Sequence, residues 1–287
     1  MELSQIRIFK AVADLGSVAK ASEELHCVPS NVTARIKALE SELGTPLFHR
    51  EGRGIRISPA GEIFLPFAGQ ILDLAHQASR AVAPSAEPKG PLRIGAIESS
   101  ATGRLPPLLA SYHSRYPDVS LRLSTATWSQ LLEDVSKRRL DGAIIAVDVE
   151  QSHIERIPFH MEELVLIASE SVGPIDQASD LAGKTIFMWP EGCPYRAALE
   201  KWLRLYGHHF PIVSVASYGT IVGCVSAGAG VALVPKGVLD QYGPSSGLRA
   251  FSFPELGSIQ NYFIWHRESS THSALHAFIL AISEHKF

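Results

Sequence analysis

Gly16-Ser17-Val18-Ala19-Lys20-Ala21-Ser22-Glu23-Glu24-Leu25-His26-Cys27-Val28-Pro29-Ser30-Asn31-Val32-Thr33-Ala34-Arg35-Ile36-Lys37-Ala38-Leu39 is the stretch on which the fold turns. Gly16 closes the helix before it as a left-handed C-cap, and Ser17 caps the helix Val18–Leu25. Pro29 is tolerated only near a helix start, so a further helix runs from Ser30 to Leu43, with Val32, Ile36, Leu39 and Leu43 on one face. Upstream, Leu3, Ile6, Phe9, Val12, Ala13 and Leu15 recur at helical spacing. Short helices joined by a tight turn make a helix-turn-helix pattern.

Working outward, Phe48 to Ser58 alternates glycine with arginine and then Ile55 and Ile57 with Arg56, which suits a small β-hairpin wing. Ser58-Pro59-Ala60-Gly61-Glu62 opens a long helix reaching about Val82, with Pro66 inside it as a kink or a cost of about 3 kcal/mol. Residues 84–91 read as an exposed linker. Beyond it strands and helices alternate: strand Leu92–Ile97, helix Thr102–Tyr116, strand Val119–Ser124, helix Trp128–Arg139, strand Ala143–Val147. A second run follows, with strands Leu164–Ala168, Thr185–Met188, Ile212–Ala216, Val231–Val234 and Gln260–Trp265, and helices Pro194–Tyr206, Gly219–Ala229 and Ser273–Glu284. Such alternation implies parallel sheet, and two runs imply two α/β lobes.

The 287 residues are 46% hydrophobic and 19% charged with a formal net charge of −3, which suits two or more folded domains and argues against disorder. Residues 1–58 hold eight Lys/Arg against seven Asp/Glu, a net of only +1, so DNA binding is not readable from charge. The first residues lack a secretory pattern, and aliphatic stretches such as Ala143–Val147 are too short to span a membrane; a cytoplasmic location is expected. Three scattered cysteines argue for a reducing compartment.

Phe9-Lys10-Ala11-Val12-Ala13, Gly16 to Leu25, Arg35-Ile36-Lys37-Ala38-Leu39-Glu40, Leu43 to Arg50 and Ser58-Pro59-Ala60-Gly61 together resemble the LysR-type transcriptional regulators, in order and nearly without gaps across residues 3–62. The α/β remainder is similar to that family's effector domain. The fold class expected is therefore α/β with an N-terminal all-α winged helix-turn-helix and a two-lobed, periplasmic-binding-protein-like effector domain. Its divisions are 1–58 for DNA binding, 59–83 for a dimerisation helix, 84–91 for a hinge, 92–161 plus 268–287 for lobe I, and 162–267 for lobe II. The resemblance implies a non-enzymatic regulator that binds promoter DNA, pairs with itself as homodimer and homotetramer, engages RNA polymerase and answers to a small molecule, with no cofactor.

A recognition helix sets its exposed N-terminal residues on base edges, here Ser30, Asn31, Thr33, Ala34 and Arg35, while Lys37 and the wing's Arg50, Arg53 and Arg56 meet phosphate. The family often has Gln where Pro29 stands, so that side-chain contact is missing. A solvated helix face and a merely solubilising hairpin are the plainer alternative, and the long helix packing on its own effector half is the alternative to dimerisation.

In the effector half, strand-end loops place Ser99, Ser100, Thr102, Thr127, Trp128, Cys193, Tyr195, Arg196, Tyr218 and Thr220 around a cleft. Helix N-termini there favour anions, and Arg196 is the cation set to pair with a carboxylate, so an anionic metabolite is expected. Helix capping explains Ser99, Ser100 and Thr220 equally well, and Tyr195 with Arg196 serves as readily as an interlobe structural pair. The loops Gly192 to Arg196, Ser217-Tyr218 and Cys224 to Gly228 are similar to the subgroup of the bacillar glutamate-synthase regulator, which commonly has Ser at the position of Pro194. Cys193, just before a helix, invites a lowered pKa and a redox role, with packing as the plainer account. His208-His209 lacks a third metal ligand at sensible spacing, and Glu162-Glu163 reads as a solvated turn rather than an acid pair. No nucleophile elbow, Walker loop or dinucleotide fingerprint occurs, which disfavours an enzyme; a transport-type solute-binding protein is disfavoured by the N-terminal helices.

Overall fold

The computed structural model describes residues 1–51, 54–81, 87–204, 210–243 and 247–285. The chain forms two compact units, Met1–Ser85 and Ala86–Phe287. Arg53 and the pair His208-His209 lie outside the described residues, as do parts of the 84–91 linker.

In the first unit α1 spans Leu3–Leu15, α2 Val18–Glu24 and α3 Pro29–Leu43. Each boundary has a local cause. The Glu2 N–H donates to the Gln5 Oε1 at 2.7 Å, starting α1. Gly16 at φ 62° ends α1, and Gly44 at φ 69° ends α3, both in the left-handed region that glycine adopts without strain. Ser17 accepts from the Lys20 N–H to start α2, and Pro29 occupies the first position of α3, where its missing N–H costs nothing. β1 (Phe48–Glu51) and β2 (Gly54–Ile57) pair antiparallel as the wing. The Glu40 carboxylate accepts from the N–H groups of Leu47 and Phe48 at 2.7 and 3.1 Å, tying the wing to α3.

α4 runs from Pro59 to Ala81, opened by Ser58, whose Oγ accepts from the Gly61 N–H at 3.0 Å. Pro66 lies inside this one continuous element, which does without the hydrogen bond that an N–H at residue 66 would give to the Glu62 carbonyl. The core gathers Ile6, Phe9, Val12, Ala21, Val32, Ile36, Leu39 and Leu47, with the Phe9 ring 5.3 Å from Phe48 and 5.1 Å from Phe64. Fully burying each large side chain contributes roughly 1.5–3 kcal/mol. Ile63, Phe67 and Leu74 on α4 stay 68%, 56% and 57% exposed.

The second unit continues with β3 (Gly90–Ala96), α5 (Glu98–Gly103), α6 (Leu105–Arg115), β4 (Val119–Thr125), α7 (Trp128–Ser136), β5 (Gly142–Ile145) and β6 (Ile154–Ser169). Then come β7 (Ile186–Met188), α8 (Pro194–Arg204), β8 (Ile212–Ser214), α9 (Tyr218–Ser226), β9 (Val231–Pro235), α10 (Lys236–Leu239), β10 (Leu248–Phe251), β11 (Ser258–His266) and α11 (Ser273–Glu284). The strand order is β4-β3-β5-β11-β6-β9-β7-β8, with β10 on β6. β3 lies parallel to β4 and β5, and β7 parallel to β8 and β9.

The expectation of parallel sheet alone is corrected at the centre, where β6 and β11 are antiparallel to their neighbours. β6 pairs with β11 over Ile154–Glu163 and with β9 over Leu164–Ala168, so one strand runs from the first lobe's sheet into the second's. β11 also pairs with β5, so the stretch 258–266, counted above with lobe II, lies in the sheet of lobe I. The expected helix Thr102–Tyr116 is two helices broken at Arg104. Pro106 and Pro107 remove the donors that would carry the turn past Gly103, and a new helix starts at Leu105 instead.

Where β6 crosses, Glu162 is 1% exposed and takes a bidentate bond from Arg104, at 2.8 Å from Nη2 and 3.1 Å from Nε, plus the Gly237 N–H at 3.0 Å. Glu162 is thus a buried strand residue, not part of a solvated turn; the apolar run after it extends a strand that begins eight residues earlier, at Ile154. Behind it Gly103 packs on Gly237 backbone to backbone. A Cβ on Gly103 would come within 2.5 Å of the Gly237 carbonyl carbon.

Candidate functional site

On α3, alternation with buried Val32, Ile36 and Leu39 leaves Ser30, Asn31, Ala34 and Lys37 exposed on the opposite face. Thr33 is half-buried and its hydroxyl donates to the Pro29 carbonyl at 3.0 Å. Arg35 is ion-paired with Glu2 and lies 3.3 Å from the Ser4 hydroxyl, so α1 holds the guanidinium that the sequence reading aimed at a base. The Ser4 hydroxyl and then Arg35 hold the Glu2 carboxyl below its usual range. Arg56 is exposed on β2; Arg50 belongs to β1, but its side chain, like Arg53, lies outside the described residues.

In the second unit a cavity of about 410 Å³ opens between the two lobes. The start of α5 brings Ser99, the loop after β4 and the start of α7 bring Thr127 and Trp128, the loop into α8 and its first turn bring Cys193 and Tyr195, and the start of α9 brings Tyr218. Ser100, Thr102, Arg196 and Thr220 do not line it. Ser100 is fully buried behind the wall, Thr102 is half-buried on α5, and Thr220 is exposed with its N–H capped by Ser217.

Hydrogen bonds cross from lobe to lobe at this cavity. The Trp128 indole N–H donates to the Gly192 carbonyl at 2.9 Å, and the Tyr218 N–H donates to the Glu98 carboxylate at 3.2 Å. Deeper, the Tyr195 hydroxyl donates to Asn261 Oδ1 at 3.0 Å and the Asn261 amide donates to the Ser100 hydroxyl at 3.2 Å. Ser99 approaches the Tyr195 hydroxyl at 3.5 Å. Tyr195 is therefore an interlobe tie. Burial raises its hydroxyl well above the usual range, so it acts as a neutral donor.

Arg196 does not fill the role of a waiting cation. It lines an adjoining hollow, its side chain is 9% exposed, and its guanidinium bonds Glu200 at 2.7 Å, the Trp189 carbonyl at 3.2 Å and the Ser214 hydroxyl at 2.9 Å. A glutamate one turn along the same helix explains the capture. The helix N-terminus that follows Cys193 does not activate it either. Burial pushes the thiol up, outweighing the backbone N–H groups of Arg196 and Tyr195 that act the other way.

Sequence reasoning passed over Glu98, Trp189 and Asn261. The Trp189 ring stacks on Tyr218 with centroids 4.6 Å apart and planes at 24°. Asn261 is fully buried in β11, and an amide at an inward position just before the apolar run Tyr262–Trp265 is the signal that marks it. Among the described residues no three His, Cys, Asp or Glu side chains gather as metal ligands, and no helix is long and apolar enough to cross a membrane.

Comparison with known proteins agrees along the whole chain. Residues 3–62 match the bacterial regulatory helix-turn-helix protein of the lysR family, and residues 85–286 match the LysR substrate binding domain. The chain is 40% identical to the HTH-type transcriptional regulator YusT of Bacillus subtilis over 283 residues, covering 97% of this chain and 94% of that one. It is 35% identical to YofA of the same organism over the full length of both. The fold is shared with full-length CbnR in complex with its target DNA, at TM-score 0.70 and 23% identity, covering 99% of each chain. With both halves matched in order and a relative at this identity end to end, the chain belongs to the LysR family: it is a DNA-binding transcriptional regulator with an effector-binding domain, and not an enzyme.

Proposed function

We propose that the exposed face of α3 enters the major groove, that two chains pair through α4 to set two such helices on related half-sites, and that a small molecule in the interlobe cavity alters the assembly. The observation that carries this reading is the exposed row Ser30, Asn31, Ala34 and Lys37, presented to solvent opposite the buried Val32, Ile36 and Leu39. Asn31 suits adenine, the Ala34 methyl suits the thymine methyl, and Lys37 and Arg56 suit phosphate, with the wing's Arg50 and Arg53 in the same role. Arg35 joins them on exchanging Glu2 for a base or phosphate. CbnR bound to its target DNA supports this orientation by likeness of fold.

Apolar Ile63, Phe67 and Leu74 on α4 support self-association as a dimer, and as a tetramer through further contacts. Operating on promoter DNA places the protein in the cytoplasm and beside RNA polymerase. The effector acts by binding one arrangement of the oligomer more tightly than another, which is the whole of its leverage on the DNA-bound state. Gel retardation with the promoter flanking the protein's own gene tests the reading. Sequence-selective, salt-sensitive retardation is expected, and its absence at low salt refutes it.

A further inference from the structure

The interlobe cavity has a chemical character of its own. Among the described residues that line it there is no Lys, Arg or His, whereas Glu98 and Glu191 are both present. Arg196, in the adjoining hollow, is committed to Glu200, the Trp189 carbonyl, the Ser214 hydroxyl and, at 3.7 Å, Glu191. The N-terminus of α9, which would attract an anion, is already taken. Ser217 accepts the Thr220 N–H, and the Glu98 carboxylate accepts the Tyr218 N–H. Glu191 is exposed and paired with Arg196, whereas Glu98 is partly buried and has no cation beside it, so an anionic ligand would meet an uncompensated carboxylate in the wall.

The walls point the same way. Trp128, Trp189, Tyr195 and Tyr218 all face the cavity, and their π faces attract cations. Glu98 has one hydrogen bond given to it, at one of two carboxylate oxygens, so acceptor capacity is left over. Its partial burial pushes its carboxyl above the usual range, so a positively charged neighbour would relieve the desolvation that it bears.

We propose that the effector is a small organic amine with a flat apolar body, its ammonium paired with the Glu98 carboxylate and its body against the aromatic wall of Trp128, Trp189 and Tyr218. This rests on the reading of the cavity as the effector site, and it replaces the anionic metabolite that the sequence suggested. The cavity, at about 410 Å³, falls within the range for small-molecule sites, roughly 300–1,000 Å³. Glu98 belongs to lobe I and caps a helix of lobe II, so an ammonium there would touch the junction that holds the lobes together.

The test is calorimetric titration of the full-length chain with three probes of similar shape: 2-phenylethylamine, 2-phenylethanol and phenylacetate. The amine is expected to bind at least tenfold more tightly than phenylacetate. Glu98→Gln is expected to erase that preference while leaving the affinity for the alcohol unchanged, because the amide oxygen still accepts from the Tyr218 N–H and holds the junction. Trp128→Leu is expected to weaken the amine and the alcohol alike, since it removes the wall under the flat body that they share. Phenylacetate binding as tightly as the amine, an amine affinity indifferent to Glu98→Gln, or no binding of any probe overturns the proposal. Promoter retardation measured on the same preparation separates the two readings: retarded DNA with an anion-preferring cavity removes only the amine, and unretarded DNA removes the regulator reading itself.

Discussion

Replacing Arg104 by methionine keeps much of the aliphatic stem and removes the guanidinium from Glu162. The carboxylate, 1% exposed, then loses the bonds at 2.8 and 3.1 Å and retains the Gly237 N–H at 3.0 Å, with His160 Nε2 at 4.0 Å. Stranding one partner of a buried pair costs about 3–5 kcal/mol, because the remaining charge is left uncompensated in a poorly solvated place. For a unit of this size each kcal/mol shifts the melting temperature by about 2–4 °C, so Arg104→Met should lower it by about 6–20 °C. Pairing that change with Glu162→Gln removes the stranded charge and keeps an oxygen for the Gly237 N–H, so most of the loss should return. Urea unfolding and calorimetry of wild type, the two single variants and the double variant give the coupling directly. A loss below about 1 kcal/mol in Arg104→Met, or a double variant as weak as the single, would show that the pair is solvated in solution and that the buried-charge reasoning fails.

Phe67→Glu, which places a charge on the exposed apolar face of α4, should shift the chain to monomer in sedimentation velocity without lowering its melting temperature. Arg35→Ala should lower operator affinity, whereas Glu2→Gln, which releases the guanidinium from its carboxylate, should raise it; equal and unchanged affinities in titrated gel shifts would exclude Arg35 from the interface. Cys193 should alkylate with iodoacetamide at pH 8 far more slowly than after unfolding in urea, since burial raises its thiol; equal rates by mass spectrometry contradict that. Burial, helped by Arg104, lowers the His160 pKa, and burial with Arg138 does the same at His266. The fold therefore favours their neutral forms, and the stability they contribute is present above about pH 6.5 and lost as pH falls through their depressed values. Urea midpoints should accordingly fall on acidification, less steeply in His160→Gln.

The helix-turn-helix was legible because its boundaries are set locally. Gly16, Ser17, Pro29 and Gly44 each act within a few residues of their own position, and the structure adds only Pro29 to α3. The strands β5, β7 and β9 were legible as short apolar runs, and β3 and β4 by apolar residues at alternate positions, Leu92 and Ile94 in one and Val119, Leu121 and Leu123 in the other. The first half of β6 was not, since Glu155, Arg156, Pro158, His160 and Glu162 interrupt any period, and what makes it a strand is the partner β11, about a hundred residues away. β10, only four residues long, was hidden for the same reason, since its strand partner β6 lies about eighty residues earlier. At the cleft the loops were correctly placed at strand ends, but the state of each charge was not. Arg196 finds Glu200 one turn along its own helix, a pairing local spacing already offered, whereas Glu98 finds a backbone N–H on the other lobe, which only folding brings about.

The bare contact of Gly103 with Gly237 carries a mechanical consequence. Side chains between two bodies can compress or change rotamer, letting the bodies slide; two peptide planes pressed together offer nothing to yield. With this contact at the far end of the helix whose first residues, Glu98 and Ser99, line the cavity, and the Arg104–Glu162 pair beside it, the lobes are left with rotation about a fixed fulcrum as their soft motion. An occupant at the mouth thus works at the long end of a lever, and its size is converted into an angle.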